Sequence, residues 1–220
     1  MKASKYLILT VIPVLLIAVG GFLFYKSRNR DIVEVPTPTA ISVTKNTPTF
    51  SIENAPSQSL KGEITTMSGE VDWQGRTATV SSQINSPQAV QQGENLTTGA
   101  SGSLTLTFPN SCTINYSKNT EIDIIQTLPA NVVFSQVSGT GEFIVNGSYP
   151  ISIRVSSLLT ELNGDATVSR NPIKPIVTVS IKSGSATLAF NDLNYISHEV
   201  KVSAGQTYTF NYGTRKGVLK

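Results

Sequence analysis

The sequence has one histidine and one cysteine, the residue types most often used for proton transfer, nucleophilic catalysis and zinc binding. His198 is the side chain that titrates near neutral pH without help from its surroundings. It alternates with Val200 and Val202, which places it in an inward-facing row or at a strand end and predicts a structural role. Cys112 alternates with Ile114 in an apolar row, which predicts a buried thiol with no base nearby to activate it. One histidine and one cysteine are also too few for a zinc site or an intrachain disulfide.

Two pairs of carboxylates are spaced so that each pair would share one face of a strand. Glu70 lies two residues before Asp72, and Glu121 lies two residues before Asp123. Side chains two residues apart on a strand point to the same side, and carboxylates held about 5 to 10 Å apart can hydrolyse a glycosidic bond. On an exposed strand such charges usually only solvate the surface, which is the role we expect here. The pairs nevertheless define the alternative hypothesis, a cell-surface hydrolase.

A third candidate, Gly139-Thr140-Gly141, begins like a dinucleotide-binding loop. The third glycine of that loop is missing, and a strand follows where a helix is required. The sequence therefore predicts no catalytic, cofactor-binding or metal-binding residues, and a protein that is not an enzyme.

The best-defined structural element is a pair of strands in residues 103–116. Apolar and polar residues alternate with a period of two on both sides of Pro109-Asn110-Ser111, the pattern of strands with one buried face. A loop of three residues sets apolar against apolar side chains at every rung, whereas a loop of two would set apolar against polar. The predicted partners are Leu104 with Tyr116, Leu106 with Ile114, and Phe108 with Cys112.

The rest of the chain after residue 60 has further short strands, broken by glycine, asparagine and proline. Strands are predicted over 64–73, 143–145, 151–155, 200–202 and 207–212, and parity predicts a second hairpin that joins 177–181 to 186–190. Residues 163–168 (NGDATV) resemble residues 183–188 (SGSATL), which indicates units stacked in similar ways. We predict an all-β domain over 61–212, as an antiparallel β-sandwich or a short β-solenoid of stacked hairpins, followed by a tail at 213–220.

The sequence also contains a longer pattern that can be compared with known families. It consists of Gly93-Glu94-Asn95-Leu96-Thr97-Thr98-Gly99, the alternating strand, a tight turn and Ser111-x-x-Ile114. It resembles the start of the extracytoplasmic domain of FecR-type proteins, the ferric-citrate regulator family. Pro109-Asn110-Ser111 stands in place of the family's Asp-Gly-Ser turn, which changes the turn type more than the fold. Shorter matches extend the resemblance to about residues 64–210. It implies a β-domain outside the cytoplasmic membrane that relays a signal.

The positive charge of the chain is concentrated before the β-domain. Residues 1–59 hold six basic and three acidic residues, and residues 60–220 hold eleven of each. A nucleic-acid-binding domain needs a basic face of its own. A neutral β-domain therefore argues against nucleic acid as a partner.

Residues 6–25 contain no charged side chain, and twenty residues are enough for a helix to cross about 30 Å of hydrocarbon. We predict a transmembrane anchor at 6–25, after a cytoplasmic stub at 1–5 and before a Pro/Thr-rich stalk at 26–60. A cleaved signal peptide with Ala18-Val19-Gly20 at its cleavage site is the alternative. Basic residues flank both sides of the apolar run almost equally, so the positive-inside rule does not orient it. The resemblance to FecR-type proteins implies a C-terminal domain outside the membrane, periplasmic or at the cell surface.

These features lead to one functional hypothesis. The chain is expected to be a membrane-anchored, extracytoplasmic binding, scaffold or signalling module, with the membrane and an envelope protein or glycan as partners. With five residues before the anchor, it is expected to lack the cytoplasmic sigma-binding part of the family that it resembles.

Overall fold

The computed structural model describes residues 52–220 of the chain. All regular structure in this part is β-strand, as predicted, and no helix in it is long and apolar enough to cross a membrane. The predicted stub, the anchor at 6–25 and the stalk up to residue 51 lie outside the described residues. The strands are β1 Gly62–Ser68, β2 Val71–Gln74, β3 Ser82–Gln83, β4 Ala89–Val90, β5 Asn95–Thr98, β6 Ser103–Phe108, β7 Cys112–Tyr116, β8 Glu121–Leu128, β9 Asn131–Val145, β10 Ile151–Val155, β11 Leu158–Asn163, β12 Ala166–Arg170, β13 Ile176–Ile181, β14 Ser185–Asn191, β15 Ser197–Ser203, β16 Thr207–Asn211 and β17 Lys216–Leu219.

The strands form two layers that share β9. Layer 1 has the order β4-β1-β6-β7-β9-β12-β13-β16-β17. Layer 2 has the order β3-β2-β5-β8-β9-β10-β11-β14-β15. From β10 onward, successive hairpins are laid alternately in layer 2 and layer 1. The predicted all-β domain is confirmed, but the sheet is mixed and not wholly antiparallel, and its two layers are built from stacked hairpins.

The long strand β9 crosses from one layer to the other at Gly139. Residues 131–138 pair with β8 in layer 2, and residues 139–143 pair with β12 in layer 1. Gly139 has φ +80°, and a Cβ there would clash with Thr120. The Gly139-Thr140-Gly141 segment is thus a bend within a strand and not a nucleotide-binding loop. Before this bend, residues 132–135 of β9 pair with β10, and this is the one parallel pair of the described part.

The predicted hairpin in residues 103–116 is confirmed in every pair. β6 and β7 join Leu104 to Tyr116, Leu106 to Ile114 and Phe108 to Cys112. All six of these side chains are buried. Asn110 in the three-residue loop has φ +57°, a conformation that asparagine tolerates better than most residues.

The predicted second hairpin is wrong. β13 pairs with β12 and β16 in layer 1, whereas β14 pairs with β11 and β15 in layer 2. The segment between them, residues 182–184, is an arch that carries the chain from one layer to the other. The apolar rows of β13 and β14 both pack into the core between the layers, and parity cannot distinguish this arrangement from a hairpin.

The single strand predicted over 64–73 is two strands in different layers. β1 pairs with β6 in layer 1, and β2 pairs with β5 in layer 2. The chain turns at Gly69, which has φ +66° and lies against the Ser101 carbonyl. Glu70 is therefore an exposed residue of a turn, and it does not share a strand face with Asp72.

The two similar sequence segments are arches stacked on one another. Lys182 N donates to Asp165 O at 2.8 Å, and Asp165 N donates to Ser183 Oγ at 3.0 Å. The next arch continues the stack, since Ala204 N donates to Gly184 O at 3.0 Å. The repeat in the sequence thus marks where the chain changes layers.

Aromatic side chains from both layers meet in the core. The Phe134 ring in the layer 2 part of β9 lies 5.5 Å from Phe108 of β6 and 6.2 Å from Phe143, farther along β9.

Residues 213–220, predicted as a tail, contain β17, which pairs with β16 as the edge strand of layer 1.

Candidate functional site

A groove of about 770 Å³ lies at the C-terminal end of the two layers, between the edge strands β15 and β17. We call it the end groove. Its lining residues come from the last two hairpins and are Phe190, Asp192, Leu193, Asn194, His198, Glu199, Val200, Tyr208, Thr214, Arg215, Lys216, Gly217 and Leu219.

Local hydrogen bonds give both hairpin loops beside the end groove a defined shape. The Asp192 Oδ1 atom accepts bonds from the N–H groups of Asn194 at 2.8 Å and Ile196 at 3.0 Å. The Asn211 Oδ1 atom accepts bonds from the next loop in the same way. Such bonds from Asp and Asn to the following backbone are the chemistry of tight turns. Arg215 Nη1 then donates to Asn191 O at 3.3 Å and ties the two loops together.

His198 is an exposed residue at the start of β15, which is the second of its two predicted placements, an inward-facing row or a strand end. Its ring stacks on Phe190 with the centroids 5.2 Å apart, and its Nε2 atom lies 3.1 Å from Asp192 Oδ2. This bond is the first cause of a lowered pKa of the Asp192 carboxyl, followed by the backbone N–H groups of Ile196 and Asn194. The histidine therefore has an acidic partner that only the fold supplies.

We expect His198→Ala to raise the pKa of the Asp192 carboxyl toward its ordinary value, because the largest cause of its lowering is removed. The backbone donors remain, so the return is partial. Stability contributed by this carboxylate is fully present above the ordinary pKa and is lost as pH falls through the lowered pKa. NMR titration of the carboxyl carbon measures the change, with Asp192→Asn to assign the signal. An identical Asp192 titration in both proteins would show that the backbone donors alone set the pKa.

Apolar side chains and free strand edges surround the end groove. Five large apolar side chains of the last two hairpins are exposed: Leu193, Tyr195 (82% exposed), Ile196, Val218 and Leu219. Two of them, Leu193 and Leu219, line the end groove. Within the described part, β15 pairs only with β14, and β17 pairs only with β16. The opposite end of the layers has β3 and β4 at its edges, each two residues long. The C-terminal end thus has the longer edge strands, of seven and four residues.

A second groove, of about 330 Å³, includes one residue of the predicted carboxylate pairs. Asp123 lines this polar groove together with Arg76, Glu94 and Asn95, but Glu121 does not. Asn95 Nδ2 donates to Asp123 Oδ1 at 2.9 Å and lies 3.5 Å from Glu121 Oε1. The predicted pair is therefore bridged by an amide on the strand surface. Neither Glu70 nor Asp72 lines the polar groove or the end groove.

The other charged groups of the polar groove hold the local backbone. Glu94 is buried, and its Oε2 atom accepts bonds from Trp73 Nε1 at 2.9 Å and Gln91 N at 3.0 Å. Arg76 donates to the carbonyl groups of Gln92 and Ile52. The groove is small, and these hydrogen bonds account for its polar side chains as parts of the fold.

The motif in residues 93–99 is also structural. Leu96 is buried in the core, and Thr98 Oγ1 donates to Ser117 O at 2.6 Å and accepts from Thr120 N at 2.9 Å. Gly99 N donates to Glu70 O at 2.9 Å, where a side chain would meet the Glu70 carboxylate. These three residues fasten the turns that join the layers, whereas Gly93, Glu94 and Asn95 of the same segment line the polar groove.

Cys112 is fully buried, as predicted, and burial raises the pKa of its thiol to about 12. At neutral pH it is a protonated core side chain, since the reactive form of cysteine is the thiolate. In residues 52–220 no group of three or more His, Cys, Asp or Glu side chains is placed to hold a metal ion.

No family model matches the sequence, and no curated protein matches it. Solved structures with a similar fold include two crystal structures, at 2.50 Å and 1.65 Å, of a candidate anti-sigma factor from Parabacteroides distasonis ATCC 8503. Each is 12% identical, with TM-scores of 0.49 and 0.50. The aligned region covers 57% of this chain and 58% of the other, so the chain spans less than two thirds of these proteins. At this identity the similarity is one of fold.

Proposed function

We propose that this chain is a membrane-anchored, extracytoplasmic, FecR-like regulatory module that acts by binding another protein at its end groove, without catalysis of its own. The observation that carries the proposal is the coincidence, at one end of the layers, of two free strand edges, β15 with seven residues and β17 with four, and exposed apolar side chains. Free edges offer unpaired N–H and C=O groups to an added strand, and apolar residues beside them supply surface to bury.

The fold and the sequence resemblance support the regulatory part of the proposal. Solved neighbours of the two-layer fold are named as candidate anti-sigma factors, which are regulators. The motif in residues 93–99 resembles the FecR-type pattern, and within it Leu96, Thr98 and Gly99 hold the layers together. A regulator transmits a signal through contacts, which is what the end groove offers.

The proposed location follows from the N-terminal sequence. Residues 6–25 would anchor the chain in the cytoplasmic membrane, and the stalk at 26–60 would carry the β-domain outward, up to roughly 100 Å at about 3.1 Å per residue. The end groove is formed by the last two hairpins of the β-domain, at the C-terminal end of the layers.

Photo-crosslinking in cells tests the proposal. A photoreactive amino acid at Val218, beside the end groove, is expected to form a discrete adduct with a protein. The matched control is Val80, which is also exposed but lies next to β3 near the other end of the layers. Adducts at Val218 and not at Val80 support the proposal, and equal or absent adducts at both positions contradict it.

The hydrolase alternative has its own test. Glu121→Gln combined with Asp123→Asn, or Asp72→Asn combined with Glu70→Gln, removes the charges of one pair with little change in shape. We expect both double variants to keep full function in cells and the wild-type adduct at Val218. Loss of a hydrolytic activity in a folded double variant would favour the enzyme.

A further inference from the structure

We propose that the partner at the end groove is a second copy of this chain, joined by antiparallel pairing of β15 with β15. This inference rests on the proposed function, because it names the partner of the same surface. It is drawn from the order of side chains along β15 and from the shape of the two ends of the domain.

The sequence of β15 is self-complementary about its centre. If Val200 lies opposite Val200 of the second copy, then Glu199 lies opposite Lys201 of that copy, and Lys201 lies opposite its Glu199. Opposite charges directly across an antiparallel pair stabilise it, and the two-fold symmetry supplies this contact twice. Shifting the register by one residue would set Val200 opposite a charged residue, so the centre at Val200 is the favoured one.

Glu199 and Lys201 form no ion pair with another residue of the described range, 52–220. In residues 52–220 the ion pairs are Lys182 with Glu142 and His198 with Asp192. Glu199 and Lys201 are exposed, and their cross-strand neighbours on β14 are Ala189 and Thr187, which carry no charge. A second copy would supply the charges that β14 lacks.

The same symmetry keeps the apolar faces together. Val202 is buried and Val200 is half-buried on the inner side of β15, while Glu199 and Lys201 point outward. Pairing about Val200 sets inner residues against inner residues, because positions related by the two-fold axis have the same parity. The core of one copy would continue into the core of the other.

The second layer can take part in the same interface. β17 is the outermost strand of layer 1 at the end where β15 is the outermost strand of layer 2. A two-fold axis perpendicular to the layers that pairs β15 with its copy also brings the two β17 strands together. Val218 and Leu219, both exposed in the single chain, would then lie in the interface.

The other end of the domain does not offer such a contact. Its edge strands β3 and β4 are two residues long. Very short edge strands are a recognised means of preventing pairing between chains. The interface therefore closes with two copies and does not grow into a fibre.

Charge exchange in β15 tests the inference with the full chain in detergent micelles. Wild type is expected to be a dimer by analytical ultracentrifugation. Lys201→Glu sets glutamate opposite glutamate twice, and Glu199→Lys sets lysine opposite lysine twice. Each is expected to weaken the dimer roughly tenfold at low salt. The double variant Glu199→Lys with Lys201→Glu restores both pairs and is expected to dimerise within about twofold of wild type.

Glu63→Lys, on the exposed face of β1, is the matched control and is expected to leave the dimer unchanged. Rescue by the double variant cannot come from the anchor, because the anchor is the same in every variant. A monomeric wild type, or single variants with the affinity of wild type, would overturn the inference. If adducts at Val218 then contain a different protein, the proposed function stands without the dimer; if no adduct forms, both fail.

Discussion

Phe134→Ala is expected to lower the free energy of unfolding by about 3–5 kcal/mol, the range for large aromatic side chains removed from a core. Phe134 is fully buried on β9, and its ring lies between Phe108 of β6 and Phe143. Truncation would leave a cavity at the point where the two layers meet, and the neighbouring rings can fill it only in part. Urea unfolding followed by the fluorescence of Trp73, the single tryptophan, measures the loss.

Val133→Ala is the matched control for that experiment. Val133 is the preceding residue of the same strand and points to the outer side, where it is half-buried. We expect a loss of about 1 kcal/mol or less, because little cavity is created. Equal losses at the two positions would contradict the assignment of inner and outer faces along β9.

Gly184→Ala is expected to cost about 3 kcal/mol, through two separate effects. Gly184 has φ +68°, which costs an alanine about 1–2 kcal/mol. A Cβ there would also clash with the carbonyl of Asn163 in the neighbouring arch, and backbone cannot move aside without disturbing the stack. Forced overpacking adds roughly 1–3 kcal/mol.

Gly205→Ala separates these two effects. Gly205 occupies the next arch of the stack with φ +82°, but a Cβ there would meet no atom within 4 Å. Only the backbone cost of about 1–2 kcal/mol is expected. A loss at Gly184 no larger than that at Gly205 would show that the arches are not packed against each other.

The roles of several charged residues depend on partners that only the folded domain provides. Asp123 and Glu94 lie in a groove, as a hydrolase would require, yet their hydrogen bonds go to Asn95, Trp73 and the backbone of residue 91. Asp192 and Arg215 received no role from the sequence but shape the end groove. No local pattern could have identified them, because they lie in the loops of different hairpins and line the same groove only in the folded domain.

The amino-acid sequence alone was enough to predict the local structure of the most regular segments. The hairpin of β6 and β7 was predicted pair by pair, since a period of two and a three-residue loop leave one register with a single apolar face. The burial of Cys112 followed from the same parity, whereas for His198 parity left two placements open, an inward-facing row or a strand end. These features depend on neighbours within about ten residues, which the sequence displays directly.

Only the tertiary structure decided which strands are hydrogen-bonded to which. Both edges of β13 are occupied by β12 and β16, so β14 has to cross to layer 2 although its apolar row matches that of β13. Likewise, Gly139 and Gly141 interrupt the pattern of β9, and its first twelve residues were not predicted as a strand. An apolar row can be buried by a hydrogen-bonded neighbour or by the opposite layer, and the free energy of burial is much the same for both. The choice depends on which edges the rest of the chain has already filled.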